Sequence, residues 1–380
     1  SCTKMGAKKE RSFHCAFFSA MLMLSATFFV GSGLLILQYK ERILRTTVIN
    51  TTTETTKCSR CEIQCKPREL EELPKGIISN TSDFLMQPLW GPRNQKSSKF
   101  STNLLAMAVG IKQKESVNKI VKKFLSSNFV VMLFHYDGNV NAWKDLEWSG
   151  GAIHISVMNQ TKWWFAKRFM HPDIVSEYGY IFLWDEDLGV ENFHVERYLS
   201  IIKEEGLEIS QPALDSNGSE VHHPLTARDS KRKVHRKVLK VIGSRKCDEH
   251  STEPPCTGWV EMMAPVFSAA SWRCAWHLIQ NDLVHAWGVD FQLGYCAQGD
   301  RTKKIGIVDS EYVVHQGIPT LGGSAENKTS SLAPPSNARN EVRKLSFAEL
   351  EIFKNRWKKA VKQDRGWIDP YLKPSQDSKN

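Results

Sequence analysis

The chain has 380 residues, 41% of them hydrophobic and 24% charged, which supplies a core for one large domain and excludes disorder throughout. Its formal charge of +10 is concentrated in two stretches, Arg228 to Lys246 and Lys354 to Arg365. Neither alternates basic with aromatic residues as an RNA-binding module does, so no nucleic-acid partner is expected. The plain readings are a solvated loop and a solvated helix face.

Residues 1–14 form a short basic tail, read as cytosolic. From Cys15 to Leu37 the chain is apolar and uncharged, long enough to cross a hydrocarbon core of about 30 Å as one helix. A retained anchor is expected rather than a cleaved signal, because no small-x-small site closes the apolar run. Basic residues flank both ends, so charge alone barely selects an orientation. The triplets beginning at Asn50, Asn80, Asn159, Asn217 and Asn327 have the form of glycosylation sites, and all follow the anchor. They favour a luminal domain in a single-pass type II membrane protein. In such a compartment Cys247 and Cys256, bracketing a Pro-containing loop, are candidates for a disulfide.

Residues 38–100 are rich in Thr and Ser, are interrupted by Pro67, Pro74, Pro88 and Pro92, and read as a stem. An α/β domain is expected over 101–365, followed by a tail over 366–380. Leu104–Val109 reads as a buried strand, Val117–Leu125 as an amphipathic helix, and Phe129–Phe134 as a second strand. Ala152–Val157 is strand-like. Trp163 to Tyr178 is helix-like with a kink at Pro172. Tyr180–Trp184 is a strand, the segment carrying Val195 to Ile202 a helix, and Leu207–Ser210 a further strand. This alternation predicts a mostly parallel central sheet with helices on both faces, with ligands beyond the carboxyl ends of its strands.

Asp185-Glu186-Asp187 directly follows the most apolar strand. Three acids at the rim of a dry sheet repel one another unless a cation, basic side chains or water offsets them. Asp185 and Asp187 can converge on one hard ion, Mn²⁺ or Mg²⁺, of the kind that bridges carboxylates to substrate phosphates. The departure of a nucleotide diphosphate suits such a site. The bland alternative is a strand ending in a hydrated acidic loop.

The blocks WWFAKRFMHPDIVSEYGYIFLWDEDLGVENF, GLEISQPALD, PPCTGWVEMMAPVFS and WHLIQNDLVHAWGVDFQLGYCAQGDRTKKIGIVDSEYVVHQGIPTLG resemble a plant family of unknown function. Its members are labelled lysine ketoglutarate reductase trans-splicing related, and the resemblance covers roughly residues 100–325. It implies a Golgi or other endomembrane protein. The same blocks resemble glycosyltransferases of the GT-A type, in which an acidic pair ending a central strand holds the metal against the donor diphosphate. That resemblance implies a nucleotide-sugar donor and a glycan acceptor. It makes Asp185, Asp187 and His315 the metal ligands, a structural role being the plain alternative for His315, and Asp290 the carboxylate base or else a helix N-cap, with Asp282 the next candidate base. Val109 and Gly110 fall where a nucleotide enters such a sheet. Asp137 is a ribose or uridine contact by the same reasoning, or simply a turn former. Lys167 and Arg168 are candidate diphosphate contacts, or a helix's polar face. Trp259 and Glu261 are a candidate acceptor platform, or a core Trp with its neighbour. Competing readings are a non-catalytic luminal protein that binds acidic glycans through its basic loop, and an RNA-linked regulator, which only the family label suggests.

Overall fold

The computed structural model describes residues 73–74, 76–77, 102–219, 221, 223–238, 241–242, 245–318 and 336–371. The anchor expected over 15–37 lies outside them, as do the triplets at Asn50, Asn80 and Asn327. No helix among the described residues is long and apolar enough to cross a membrane.

Regular structure begins with β1 (Thr102–Val109), whose middle is fully buried. In α1 (Lys114–Leu125), Val117, Ile120, Val121 and Phe124 form the buried stripe. Leu125 falls at the stripe's edge and is exposed. Then come β2 (Phe129–His135), β3 (Ile153–Ser156) and α2 (Lys162–Phe169), the last capped by the Thr161 side chain, which accepts from Trp164 N–H. The helix expected to continue to Tyr178 with a kink stops at Phe169. Pro172 disfavours helical backbone in the residue before it and offers no N–H. After it run β4 (Tyr178–Trp184), β5 (Leu188–Gly189), α3 (Val195–Glu204) and β6 (Ile209–Leu214). The remaining strands are β7 (Val234–His235), the ribbon β8 (Val241–Ile242) with β9 (Arg245–Lys246), and β10 (Val266–Ser268). The chain continues through α4 (Ala269–Leu278), α5 (Arg301–Lys304), β11 (Ile305–His315) and the long α6 (Ser336–Gln363).

One nine-stranded sheet has the order β3-β2-β1-β4-β10-β6-β11-β5, with β7 on β11. β1, β2, β3, β4, β6 and β11 run one way, while β10, β5 and β7 run against them. The sheet is therefore mixed but mostly parallel. One core layer gathers α1 and α3 side chains, such as Phe124 and Ile202, against Leu133 and Phe182. The other gathers α2 and α4, through Phe165, Trp272 and Trp276, against Phe134 and Leu183. Helices thus cover both faces, as the alternation predicted.

The domain also reaches beyond the limits read from the sequence. Leu73 and Ile77, inside the stretch read as stem, are buried in the core. Tyr371, inside the tail, donates through its hydroxyl to the carbonyl of Gly294 at 2.9 Å. Isolated anchor residues of this kind have no periodicity to announce them. The chain lays β1, β2 and β3 outward in succession, then returns to place β4 on the other side of β1. That reversal opens a crevice at the carboxyl ends of β1 and β4, the favoured ligand position in a sheet of this kind.

Candidate active site

A cleft of about 950 Å³ occupies that crevice, and Asp185, Asp187, His315, Trp259, Glu261 and Asp290 all line it. Its sheet-side wall is built from strand ends. Asp185 and Asp187 follow β4 and His315 ends β11, and one ligand atom from each lies within 4.8 Å of the others. Asp187 Oδ2 accepts from Ile318 N–H at 2.8 Å and stands 3.6 Å from His315 Nε2. Burial, with Asp185 nearby, raises the Asp187 carboxyl above its ordinary range, against the opposing pull of His315. Two carboxylates and an imidazole form a mixed oxygen and nitrogen donor set. It fits Mn²⁺ better than Mg²⁺, which favours oxygen throughout.

A cation not singled out in the sequence stands at this site. Lys162, the first residue of α2, is buried, and its Nζ lies 2.6 Å from Asp185 Oδ1. The same ammonium donates to the carbonyls of Met262 at 2.7 Å and of Leu183 and Met263 at 3.3 Å. Burial lowers its pKa even against the Asp185 charge. With four oxygens around it, Lys162 holds Asp185 by one carboxylate oxygen and ties the end of β4 to the segment leading into β10.

Glu186, between the two aspartates, turns the other way. Its Oε2 accepts from Gly110 N–H at 2.7 Å, and its Oε1 accepts from the Tyr136 hydroxyl. Burial pushes its carboxyl up to about 8, against those two hydrogen bonds, with Asp187 and Asp185 adding to the rise. Glu186 thereby joins the ends of β1 and β4 and holds the Tyr136 ring over Gly110, where a Cβ would collide with that ring. Val109 beside it is wholly buried. Asp137 has a structural task. It accepts from Ile111 N–H at 2.7 Å and Asn139 N–H at 3.0 Å, and these bonds hold its carboxyl low despite burial.

The opposite wall comes from loops and α6. Trp259 is 2% exposed and donates through Nε1 to Asp290 Oδ2 at 3.2 Å, so its ring is packed into the wall rather than open to the cleft. The open aromatic surface is elsewhere, on Trp287, Phe291 and Phe347. Glu261 is 5% exposed, its N–H donating to Gln211 Oε1 at 2.5 Å. Burial pushes the Glu261 carboxyl to about 8 and that of Asp290 to about 6. α6 is fastened to this wall by His285, whose N–H donates to Glu349 Oε2 at 2.8 Å, and by Arg356 bonded to both oxygens of Asp282. That pairing occupies Asp282, the second candidate base.

Lys167 and Arg168 do not reach the cleft. Lys167 Nζ donates to the Trp276 carbonyl at 3.0 Å and sits 3.5 Å from that ring's centroid, and Arg168 donates to Asn281 Oδ1 at 2.8 Å. Five residues of helix place Lys167 about 140° around α2 from Lys162. The basic run is also engaged locally. Lys233 pairs with Glu204, Arg236 with Glu205 and Arg232 with Asp229, and Arg228 lies over the Tyr312 ring. Lys162, Tyr136 and Gln211 were missed because no local pattern marks them. Each acquires its place through a contact distant in sequence.

These features define a class: a mixed α/β domain with an Asp-Asp-His group that could hold a cation at the switch point of its sheet, facing a cleft with buried carboxylates. Residues 64–363 match the family described as "Protein of unknown function (DUF707)", and the chain belongs to that family. No curated protein matches the sequence. Among solved structures, Staphylococcus aureus TarS 1–349 is similar at 8% identity and a TM-score of 0.33, covering 56% of this chain and 59% of that one. The glycosyltransferase GlyE of Streptococcus pneumoniae TIGR4 is similar at 9% identity and 0.31, covering 69% and 64%. The 4-diphosphocytidyl-2C-methyl-D-erythritol synthase of Anaerococcus prevotii is similar at 11% and 0.32, covering 58% and 91%. This chain thus spans less than two thirds of the first two. Similarities this distant transfer no activity.

Proposed function

We propose that the protein is a metal-dependent glycosyltransferase that takes a nucleotide sugar and a glycan acceptor. The observation that carries the reading is the convergence of Asp185, Asp187 and His315 at the carboxyl edge of the sheet. Asp185 and Asp187 would hold Mn²⁺ through one oxygen each and His315 through a ring nitrogen. The ion would neutralise the departing diphosphate. Lys162 fixes the Asp185 carboxylate, Glu186 fixes Tyr136 at the mouth of the nucleotide side, and the aromatic wall opposite receives the acceptor.

The same proposal places the domain in the endomembrane lumen, held by residues 15–37 as a type II anchor. Two disulfides, Cys247–Cys256 and Cys274–Cys296, support an oxidising compartment. Asn159 and Asn217 are exposed, as glycosylated residues must be.

The test uses the full chain in detergent, with Mn²⁺ binding followed by calorimetry and nucleotide release measured from a panel of UDP- and GDP-hexoses. Asp187→Ala is expected to weaken Mn²⁺ binding by more than ~100-fold, beyond what loss of a supporting contact costs. Retention of Mn²⁺ affinity in that variant, or absence of donor binding in the unaltered protein, would sink the proposal.

A further inference from the structure

The two carboxylates of the loop wall differ in what already holds them. Asp290 accepts from Trp259 Nε1 and lies in the first turn of the short helical segment Asp290–Cys296, where backbone N–H groups favour its charge. Glu261 is nineteen-twentieths buried, yet neither carboxylate oxygen has a hydrogen-bond partner of ordinary geometry among the described residues. Only the Thr226 hydroxyl is near enough to favour its ionised form. A buried carboxyl without partners is costly and is seldom kept without a use.

Its place in the chain supplies that use. β10 runs antiparallel to β4, and the pairing continues past both strand ends: Leu183 N–H donates to the Pro265 carbonyl at 3.1 Å, and Asp185 N–H to that of Met263 at 2.8 Å. Glu261 follows two residues further along this run. The carboxyl thus lines the same cleft as Asp185, Asp187 and His315, on its loop side. Trp287 and Phe291, both exposed, line the same cleft, and aromatic side chains there suit the apolar face of a sugar ring.

Resting on the glycosyltransferase reading, we propose that Glu261, rather than Asp290, receives the acceptor hydroxyl and serves as its general base. A Glu261 carboxylate oxygen takes the hydroxyl proton as the acceptor oxygen bonds to the donor's anomeric carbon. The bond from that carbon to the diphosphate oxygen breaks, and its electron pair leaves on the nucleotide. A carboxyl raised by burial toward the working pH is suited to this transfer.

The test uses the full chain with Mn²⁺ and whichever UDP- or GDP-hexose it binds, water standing in for the acceptor. Glu261→Gln is expected to lower the rate of nucleotide release ~10²–10⁴-fold while leaving the donor Kd within about twofold, because the proposed role puts Glu261 at the acceptor hydroxyl and not at the donor's diphosphate. Loss of release in Asp290→Asn but not in Glu261→Gln overturns the assignment and leaves the transferase reading standing. Absence of donor binding in the unaltered protein overturns both. A second measurement is independent of turnover. Glu261→Leu is expected to raise the Tm of the ligand-free protein by about 2–4 °C, because it removes an orphaned buried carboxyl. A fall in Tm identifies Glu261 as structural and overturns the proposal.

Discussion

The two walls of the cleft are made by different means. The sheet-side wall takes its geometry from strand ends: once β1, β4 and β11 are in register, Gly110, Asp185 and His315 can stand nowhere else. The loop-side wall has no sheet to fix it and relies on individual ties. Cys274–Cys296 joins α4 to the segment bearing Asp290 and Phe291, Trp259 holds Asp290, and His285 and Asp282 hold α6. A wall held by a ladder should tolerate single changes that a wall held by ties does not.

Replacing both Cys274 and Cys296 with Ser strikes the main tie. It should cost roughly 3 kcal/mol, as expected for a closed loop of this size, measured by denaturant unfolding, and should leave Mn²⁺ affinity at the sheet wall intact. Loss of both together would show that the walls form one unit. Lys162→Met attacks the joint between them. Breaking a buried ion pair costs about 3–5 kcal/mol, but Asp185 is more than a third exposed, so about 2 kcal/mol is expected after solvent screening. Freed of the ammonium, Asp185 should also bind Mn²⁺ more tightly, which calorimetry would detect.

Gly288→Ala presses α6 off the loop wall. The residue has φ +94°, and a Cβ would lie 2.8 Å from Leu350 Cδ1 and 3.1 Å from Phe353 Cδ1. A loss of about 1–3 kcal/mol is expected, with faster proteolysis at α6. Lys167→Met is the control on the far side of α2 and has the smallest effect. Burial, helped by Arg168, holds the Lys167 pKa at about 7, below its unfolded value of 10.5. Between those values the folded chain binds fewer protons than the unfolded one, so the unaltered protein gains stability as pH rises through that window. The Met variant lacks this gain. It should be equal to the unaltered protein or more stable by less than about 1 kcal/mol at pH 7, and lose that margin by pH 10 in parallel thermal melts.

Much of the sheet was legible because its strands are local apolar runs bounded by turns, and the acidic triplet was legible because it abuts the most apolar of them. β10 was not, since three residues are too few for any period to show. Yet β10 reverses direction between β4 and β6, and the segment leading into it carries Glu261 into the cleft that Asp187 also lines. The choice between lysines failed for a related reason. Lys167 and Arg168 are a visible basic pair, whereas Lys162 is distinguished only by the direction in which α2 docks.

The sequence by itself determined most of the strands and helices from β1 to β6, the acidic pair at a strand's end, and the loop cysteines Cys247 and Cys256, because these depend on neighbours a few residues apart. The tertiary structure decided which groups meet. It carried His315 to Asp187, set Lys162 rather than Lys167 on Asp185, turned Glu186 toward Tyr136, and left the Glu261 carboxylate oxygens buried with no hydrogen bond of ordinary geometry among the described residues. Those outcomes depend on sheet register and helix docking, which join residues far apart in the chain and leave no mark on the pattern around any one of them.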